Sequence, residues 1–447
     1  MIDASAETIT IIFIIAILGG VVTGYPIAFI VGASGFIIGY LALGPMAFEL
    51  MYARVYSLLL NYTLLAVPLF IFMGIILERS GITTRLYSAL YLLLGGFRGG
   101  LAISTVLFGT ILAACLGVTA ASVSMLTIVA LTPMLQRGYE KGIATGSVCA
   151  GGNLGILIPP SVMLVIYGPT ASISVGKLFM GAIFPGLMLS ALYCAYIAIR
   201  SLLQPGIAPA ISKEERDVPW TRKARLLLSS LLPPVILILS VLGSIFFGIA
   251  PPTEAAGIGA MAAVLLAAVY RKLNLKVLSY AALETLRITS FVLLIGGLSF
   301  ATVGIFIRAG CGEVLRNAVL SAPMGRWGAF TLVMLIVIIL GMFIDWIGIL
   351  FIMVPIITPI APALGFDPLW FAIMICINLQ MSFLTPPFAV SIFVVRGTAP
   401  PELGVTTVDI IRGVIPFIIL IVIGLALCIA FPQIILWLPG QMVVGWT

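Results

Sequence analysis

Long apolar runs alternate with short polar connectors along most of the chain, as at residues 226–249 and 413–431. A helix needs about 20 mostly apolar residues to cross a bilayer, whereas the strands of a membrane barrel alternate apolar and polar positions over about ten residues. The pattern therefore predicts an all-α polytopic membrane protein with roughly ten crossings. In the first half the predicted crossings cover residues 9–23, 27–43, 62–77, 142–168 and 176–199.

Composition supports the same class. Of the 447 residues, 62% are hydrophobic and only 8% are charged, whereas a soluble domain carries about 25% charged residues. A disordered chain is excluded because disorder requires low hydrophobicity. The net charge is +7, and we assign the excess of basic residues to loops on the cytoplasmic side of the lipid bilayer. No basic patch with interleaved aromatic residues is present, so nucleic acid is excluded as a partner.

The chain lacks the side chains that most enzymes and metal sites need. It contains no histidine, and its six cysteines are isolated in apolar stretches without CxxC spacing. Histidine is the commonest general base and metal ligand, so a Ser-His-Asp enzyme is excluded and an intramembrane enzyme is disfavoured. A channel is also disfavoured, because no filter-like motif is present.

The two halves of the chain repeat several motifs at a nearly constant offset. Thr132-Pro133 matches Thr358-Pro359, and Pro159-Pro160 matches Pro386-Pro387. Chance alignment is the alternative, because glycine and proline are common in this chain. The polar segment between the halves contains six basic and three acidic residues. We therefore predict three parts: a first repeat over residues 1–199, a cytoplasmic linker over 200–225 and a second repeat over 226–447.

Each half also contains an apolar stretch interrupted near its middle, at about residues 98–136 and 325–362. Two full crossings in each stretch would make the repeats parallel, whereas a re-entrant helical hairpin leaves about five spans and makes them inverted. The inverted arrangement places the basic linker inside, as the positive-inside bias requires, although Arg308, Arg316 and Arg326 then fall outside. The balance favours two inverted-topology repeats, with both termini periplasmic.

One predicted helix in each half contains a double proline near its centre, at about residues 142–168 and 367–396. Proline lacks an N–H group and clashes with the preceding turn, and open backbone at membrane depth occurs only against protein or a water-filled cavity. Paired breaks in two repeats point to a transporter's substrate site. The candidate substrate ligands are the polar residues near the breaks and the hairpin tips: Thr119, Ser122, Asn153, Ser161, Asp345, Gln380 and Thr385.

Structural roles remain open for several of these residues. The double prolines are also compatible with plain kinks, and the Thr119 and Ser122 hydroxyls with hydrogen bonds inside their own helix. Asp345 could pair with an arginine or cap a helix, but a carboxylate inside an apolar span is a functional candidate by default.

Three motifs together resemble those of one transporter family. They are GGNLGILIPPS at residues 151–161, PTEAA at 252–256 and GMFID at 341–345. The chain is similar, over nearly its whole length, to the large membrane subunit of TRAP transporters, the tripartite ATP-independent periplasmic transporters. The resemblance implies an elevator-type, sodium-driven importer of an organic acid (a carboxylate) in the bacterial inner membrane. A stand-alone sodium/carboxylate symporter or anion exchanger of related architecture is the alternative.

The resemblance also implies partners and ion sites. A periplasmic substrate-binding protein would deliver the acid, and a small four-helix membrane subunit would be a separate chain. Many members have a Ser-Gly-Ser-Ser hairpin tip where this chain reads Leu116-Gly117-Val118-Thr119, so fewer side-chain oxygens are available there. Carried over from the family, the sodium sites fall near two sets of residues: Gly117, Val118, Asn153, Ile156 and Pro159, and then Gly341, Asp345, Met381 and Pro386.

Overall fold

The computed structural model describes residues 5–116, 119–212 and 219–443, and every regular element in these ranges is helical. Part of the predicted linker, residues 213–218, lies outside them. The first half contains α1 (Ala6–Val22), α2 (Ile27–Leu43), α3 (Met46–Leu59), α4 (Ala66–Arg79), α5 (Ile82–Leu94), α6 (Gly100–Leu116), α7 (Thr119–Leu126), α8 (Thr132–Gln136), α9 (Lys141–Asn153), α10 (Val162–Ala171) and α11 (Val175–Leu203).

The second half contains a similar series of long and short helices. They are α12 (Trp220–Phe246), α13 (Pro252–Val269), α14 (Leu275–Arg308), α15 (Cys311–Leu320), α16 (Gly325–Gly341), α17 (Trp346–Ile357), α18 (Ile360–Ala363), α19 (Pro368–Ser382), α20 (Val390–Thr398), α21 (Thr407–Ala430) and α22 (Gln433–Gly440). A π-helical turn, Thr127–Leu131, joins α7 to α8.

Eight helical stretches in the described residues are long and apolar enough to cross a bilayer, which confirms the prediction of an all-α polytopic membrane protein. They are Tyr62–Arg79, Thr119–Gln136, Val175–Leu203, Lys223–Phe246, Pro252–Val269, Leu275–Arg308, Trp346–Ala363 and Thr407–Ala430. Helix α3 was not predicted as an element. It carries Glu49 and Arg54 among its apolar residues, which hid it from a search for uncharged runs.

The helices pack into two groups. One group contains α2, α3, α4, α13 and α14, with α1 against α2 and α12 against α13. In the other group, α6 and α7 pack on α9, α16 packs on α19, α11 packs on α6 and α19, and α21 packs on α9 and α19. Helix α14 also packs on α17 and thereby joins the groups. Within the second group α10 contacts α17, and α20 contacts α7. Each helix that follows a double proline therefore packs on a helix from the opposite half.

Glycines allow the closest helix contact in the second group, between α9 and α21. A Cβ atom added at Gly146 would clash with the carbonyl oxygen of Gly413 and lie 2.7 Å from the Phe417 ring. Gly413 in turn lies against the Gly142 carbonyl. Small residues let helix backbones approach in membranes, where van der Waals packing drives association.

We expect Gly146→Ala to lower the thermal unfolding temperature of the detergent-solubilised protein by several degrees. The added methyl group meets backbone that cannot yield, and overpacking of this kind costs about 1–3 kcal/mol. Gly243→Ala in α12 is the matched control, because nothing lies within 4 Å of its added Cβ atom. Equal unfolding temperatures for the two variants, measured by tryptophan fluorescence, would show that this contact is not tight.

Candidate functional site

The first double proline ends a buried helix. Helix α9 ends at Asn153, a single 3-10 turn covers Leu154–Ile156, and α10 begins only at Val162. Ser161 precedes α10, and its hydroxyl donates a hydrogen bond to the carbonyl oxygen of Ile156. The residues of this break are all buried. The interruption is therefore covered by protein, as an opened backbone in a bilayer requires.

The second double proline lies between α19 and α20, in the place that corresponds to the first break. Helix α19 ends at Ser382, and α20 begins at Val390. The Thr385 hydroxyl donates to the Met381 carbonyl at 2.8 Å. The backbone N–H of Phe388 donates to the Met342 carbonyl at 3.0 Å, which ties this break to the turn between α16 and α17. Unlike its counterpart, the segment around Pro386 is exposed.

Three helix N-termini meet at one open pocket of about 330 Å³. The first residue of each helix lines it: Val162 of α10, Trp346 of α17 and Val390 of α20. Thr119 of α7 lines the same pocket. The first backbone N–H groups of a helix have no partner within that helix, and the peptide dipoles add partial positive charge there. Because α10 comes from the first half and α17 and α20 from the second, the pocket collects positive helix ends from both halves.

The polar side chains at this pocket come from three helices. Thr119 is 3% exposed, and its hydroxyl has no hydrogen-bond partner among the described residues. Asp345 occupies the N-cap position of α17, with its carboxylate beside the backbone N–H groups of Trp346 and Ile347, and none of the described cations forms an ion pair with it. Arg287 reaches the pocket from α14, with its Nη1 atom 2.6 Å from Glu284 Oε1. Phe291 and Phe383 supply apolar wall.

A second polar cluster joins the two broken helices away from this pocket. Asn153 Nδ2 donates to the Gln380 carbonyl oxygen at 2.7 Å, across 227 residues of sequence. This spacing equals the offset between the two double prolines. Both polar atoms of the Gln380 side chain, and Oδ1 of Asn153, are buried without a partner in the part of the chain that the structure describes. Unpaired buried oxygens are costly, so this cluster is a candidate site for water or a cation.

The turn before α17 packs closely on the end of α19. A Cβ atom added at Gly341 would clash with the Ser382 hydroxyl and lie 2.5 Å from its Cβ atom. The Ser382 hydroxyl is buried and has no partner within the described ranges. Nearby, Asn378 Nδ2 donates to the Met334 carbonyl at 2.9 Å, while its Oδ1 is unpaired there. The second half therefore has oxygen groups comparable to those around Asn153.

The structure brings together only part of the predicted substrate set. Thr119 and Asp345 line the pocket, and Ser161 immediately precedes Val162, which also lines it. Ser122 is buried one turn further along α7. The lining found in the described residues does not include five of the seven predicted ligands: Ser122, Asn153, Ser161, Gln380 and Thr385.

The predicted sodium ligands fall into two separate places. Asn153, Ile156 and Pro159 lie in the first break, and Gly341, Met381 and Pro386 lie at or beside the second. The Ile156 carbonyl already accepts from Ser161, and the Met381 carbonyl from Thr385. Gly117 and Val118 lie outside the described residues.

Sequence reasoning missed four polar residues of these sites. Arg287 and Glu284 stand one turn apart on α14, where no site residue was predicted, and an arginine beside a long apolar run was the available signal. Asn378 and Ser382 lie in the sequence of the second break but were not chosen. Only the packing of α16 on α19 shows that they face the interrupted stretch.

Comparison with known proteins places the chain in a family. The family model of the tripartite ATP-independent periplasmic transporter, DctM component, matches residues 12–434. The C4-dicarboxylate TRAP transporter large permease protein DctM of Pseudomonas aeruginosa is 32% identical over 385 residues, covering 86% of this chain and 87% of that protein. The ectoine/5-hydroxyectoine TRAP transporter large permease of Ruegeria pomeroyi is 31% identical over 445 residues, covering 97% and 98%.

Two further similarities extend the comparison. The sialic acid TRAP transporter permease SiaT of Haemophilus influenzae is 30% identical, covering 86% of this chain and 61% of that longer protein. The crystal structure of the YdaH transporter of Alcanivorax borkumensis superposes with a TM-score of 0.62 at 15% identity, covering 87% and 89% of the two chains. At that identity the superposition shows a shared fold.

We expect Gly341→Ala to lower the thermal unfolding temperature by several degrees, because the methyl group displaces Ser382 and with it the end of α19. Strain from overpacking is of order 1–3 kcal/mol. The double variant Gly341→Ala/Ser382→Gly restores the space and should regain part of the loss. A double-mutant cycle measured by thermal unfolding tests this coupling, and strictly additive effects of the two changes would contradict the contact.

Proposed function

This chain belongs to the family of large membrane components of tripartite ATP-independent periplasmic transporters, and from that membership we propose that it imports an organic acid by sodium symport. Family membership confirms the resemblance seen in the motifs. The protein is a transporter permease rather than an enzyme, as its relatives are. The sodium coupling and the acid class are our proposals.

The observation that carries the proposal is the convergence of three helix N-termini, those of α10, α17 and α20, on one pocket. Each terminus contributes roughly half a positive charge that acts within its first turn. Half-helix N-termini bind anionic substrate groups in transporters with broken helices. The relatives are named for C4-dicarboxylates, ectoine and sialic acid, and each of these compounds bears a carboxylate. The buried Thr119 hydroxyl, which has no partner in the described chain, supplies a donor for the same group.

Sodium fits the oxygen groups at the breaks. Sodium is a hard cation and prefers oxygen ligands, and buried oxygens without partners are the ones that gain most from a cation. Asn153 Oδ1 in the first break, with Asn378 Oδ1 and Ser382 Oγ in the second, are such atoms in the described residues. Asp345 brings a full negative charge into a pocket that otherwise favours anions. We therefore propose that Asp345 binds the co-transported cation. The cation would also neutralise the Asp345 carboxylate beside the acid.

The proposal includes partners and an arrangement in the membrane. A small membrane subunit and a periplasmic binding protein are implied by the family, and the binding protein would deliver the acid. We place the chain in the bacterial inner membrane with both termini periplasmic, because that orientation puts the basic linker in the cytoplasm.

Two inverted repeats with re-entrant hairpins remain part of the proposal, with the boundaries predicted from the sequence. The reciprocal packing of α10 on α17 and α20 on α7 supports them, as does the hydrogen bond between Asn153 and Gln380. An elevator movement would carry these helices past the group around α13 and α14. The packing of the helices into two groups, which meet where α14 packs on α17 and where α4 packs on α6 and α10, supports that motion.

We expect sodium-dependent uptake when this chain is reconstituted with its small subunit and binding protein in proteoliposomes. Succinate, ectoine and sialic acid form the first panel of radiolabelled acids. Replacing the sodium gradient with potassium should lower uptake at least tenfold, because the cation is a co-substrate. Unchanged uptake in sodium-free buffer would reject the coupling. Uptake by this chain alone would favour a stand-alone symporter or exchanger.

We expect Asp345→Asn to reduce uptake at least tenfold without loss of protein from the membrane, because the amide removes the charge proposed to hold the cation. Glu313→Gln on α15 is the matched control, since that carboxylate is 71% exposed and lies away from the pocket. Wild-type uptake by the Asp345 variant would contradict its role.

We expect Thr119→Val to raise the KM for the acid at least about tenfold, because it removes one hydroxyl donor while keeping the shape of the side chain. A net hydrogen bond to a charged group is worth about 1.5–3 kcal/mol. Thr331→Val, at an exposed position of α16, should leave KM unchanged. An unaltered KM in the Thr119 variant would remove that hydroxyl from the site.

A further inference from the structure

A cation faces the pocket from the group of helices around α14. Arg287 is the positively charged side chain in the lining that the described residues form. Its guanidinium lies 2.6 Å from Glu284, one turn earlier on the same helix, and the side chain stays 64% exposed. A guanidinium has five N–H donors in a planar fork. One carboxylate does not use all of them, so Arg287 retains donors for a second acid group.

The position of Arg287 along α14 coincides with an expected edge of the bilayer. Residues 288–307, between Arg287 and Arg308, contain no charged residue. About 20 apolar residues are the length that crosses the hydrocarbon core, so the two arginines mark the ends of a span. Arg271 and Lys272 lie beyond Arg287, on the side that the positive-inside bias assigns to the cytoplasm. Arg287 therefore lies where water from the cytoplasm meets the pocket.

The pocket wall is built from both packing groups. The three helix N-termini belong to the second hairpin and the broken helices, whereas Arg287 belongs to α14, which packs on α2, α3 and α4. In this conformation α14 also packs on α17, the helix that follows Asp345. A movement of one group past the other would separate Arg287 from the N-termini. Contact with Arg287 is therefore specific to this conformation.

We propose that Arg287 binds the acid group of the transported anion at the cytoplasmic mouth of the pocket, and that Arg287 forms its ion pair with Glu284 again when the anion leaves. This inference rests on the proposed function, and it adds a binding residue on α14 to the groups of the hairpins and breaks. An exposed ion pair such as Arg287–Glu284 is weak, so its arginine can exchange one carboxylate for another. A planar guanidinium also matches a carboxylate through two parallel hydrogen bonds.

The first test measures the electrostatic potential of the pocket without any substrate. Ala120 is exposed and lines the pocket, so Ala120→Cys provides a reporter thiol. The complex with its small subunit is placed in phosphatidylcholine nanodiscs and treated with sulfonatoethyl or trimethylammonioethyl methanethiosulfonate. The ratio of the anionic to the cationic rate cancels differences in accessibility. A chain with Ala120 intact gives the background from native cysteines.

We expect Arg287→Gln to lower the rate ratio roughly fivefold, the effect of removing one charge at several ångströms in a partly aqueous pocket. Glu284→Gln should raise the ratio, because it leaves the arginine uncompensated. Arg316→Gln is the matched control: Arg316 also forms an ion pair with a glutamate one turn earlier, Glu313, but on α15 and away from the pocket. Equal ratios in the Arg287 and Arg316 variants would overturn the proposal, because Arg287 would then face the lipid headgroups or bulk water rather than the pocket.

The second test uses the uptake assay and separates binding from charge. Arg287→Lys keeps the charge but loses the fork, so it should keep the rate ratio and still raise the KM for the acid. Arg287→Gln should raise KM at least tenfold. Uptake with wild-type KM in Arg287→Gln overturns the inference while leaving the transport function intact. A fall in the rate ratio without uptake of any acid by the wild type would reject the proposed function and still support an anion-attracting Arg287.

Discussion

The structure of this protein depends on one constraint: a backbone N–H or C=O group in hydrocarbon must find a partner. The chain satisfies this constraint over most of its length with long apolar helices. At the two double prolines the long helices are interrupted: α9 and α19 end there, and backbone groups are left without helical partners. Such breaks occur only inside protein or against a water-filled cavity: the first break is buried, whereas the second is exposed around Pro386.

The same breaks create the chemistry of the site. Ending a helix inside the protein produces a new N-terminus a few residues later. Helices α10 and α20 begin after the two breaks and α17 begins after the turn at Asp345, and these three termini reach a single pocket. Partial charges that would be screened at a surface act more strongly where water is limited. The hairpins can therefore hold an anion without contributing a basic side chain. The one arginine in the described lining comes from α14, in the other packing group. The site is shared between the two packing groups of helices, and this makes its composition depend on their relative position.

Close contacts at glycines limit how far neighbouring helices can shift in this arrangement. Gly146 against Gly413, and Gly341 against Ser382, bring backbone to within van der Waals distance of the neighbouring helix. Helix association in a bilayer relies on such contacts because lipid tails are as apolar as leucine. The polar atoms of Asn153 and Gln380 are held at the junction of the two halves by the same tight packing. A shift of one helix would therefore alter both the packing and the oxygen groups proposed for sodium.

The sequence by itself determined the class of the protein and the places where its helices break. Apolar run length fixes a polytopic helical membrane protein because the bilayer thickness is fixed, and Pro159-Pro160 and Pro386-Pro387 end helices for local steric reasons. The motifs around them also identified the family. Which side chains meet was decided only by tertiary packing: Thr119 and Asp345 share a pocket, but Asn153 and Gln380 form a separate cluster. The sequence shows Arg287 beside a long apolar run but does not place it at the site, because its role depends on α14 packing against α17, a contact between residues far apart in the chain.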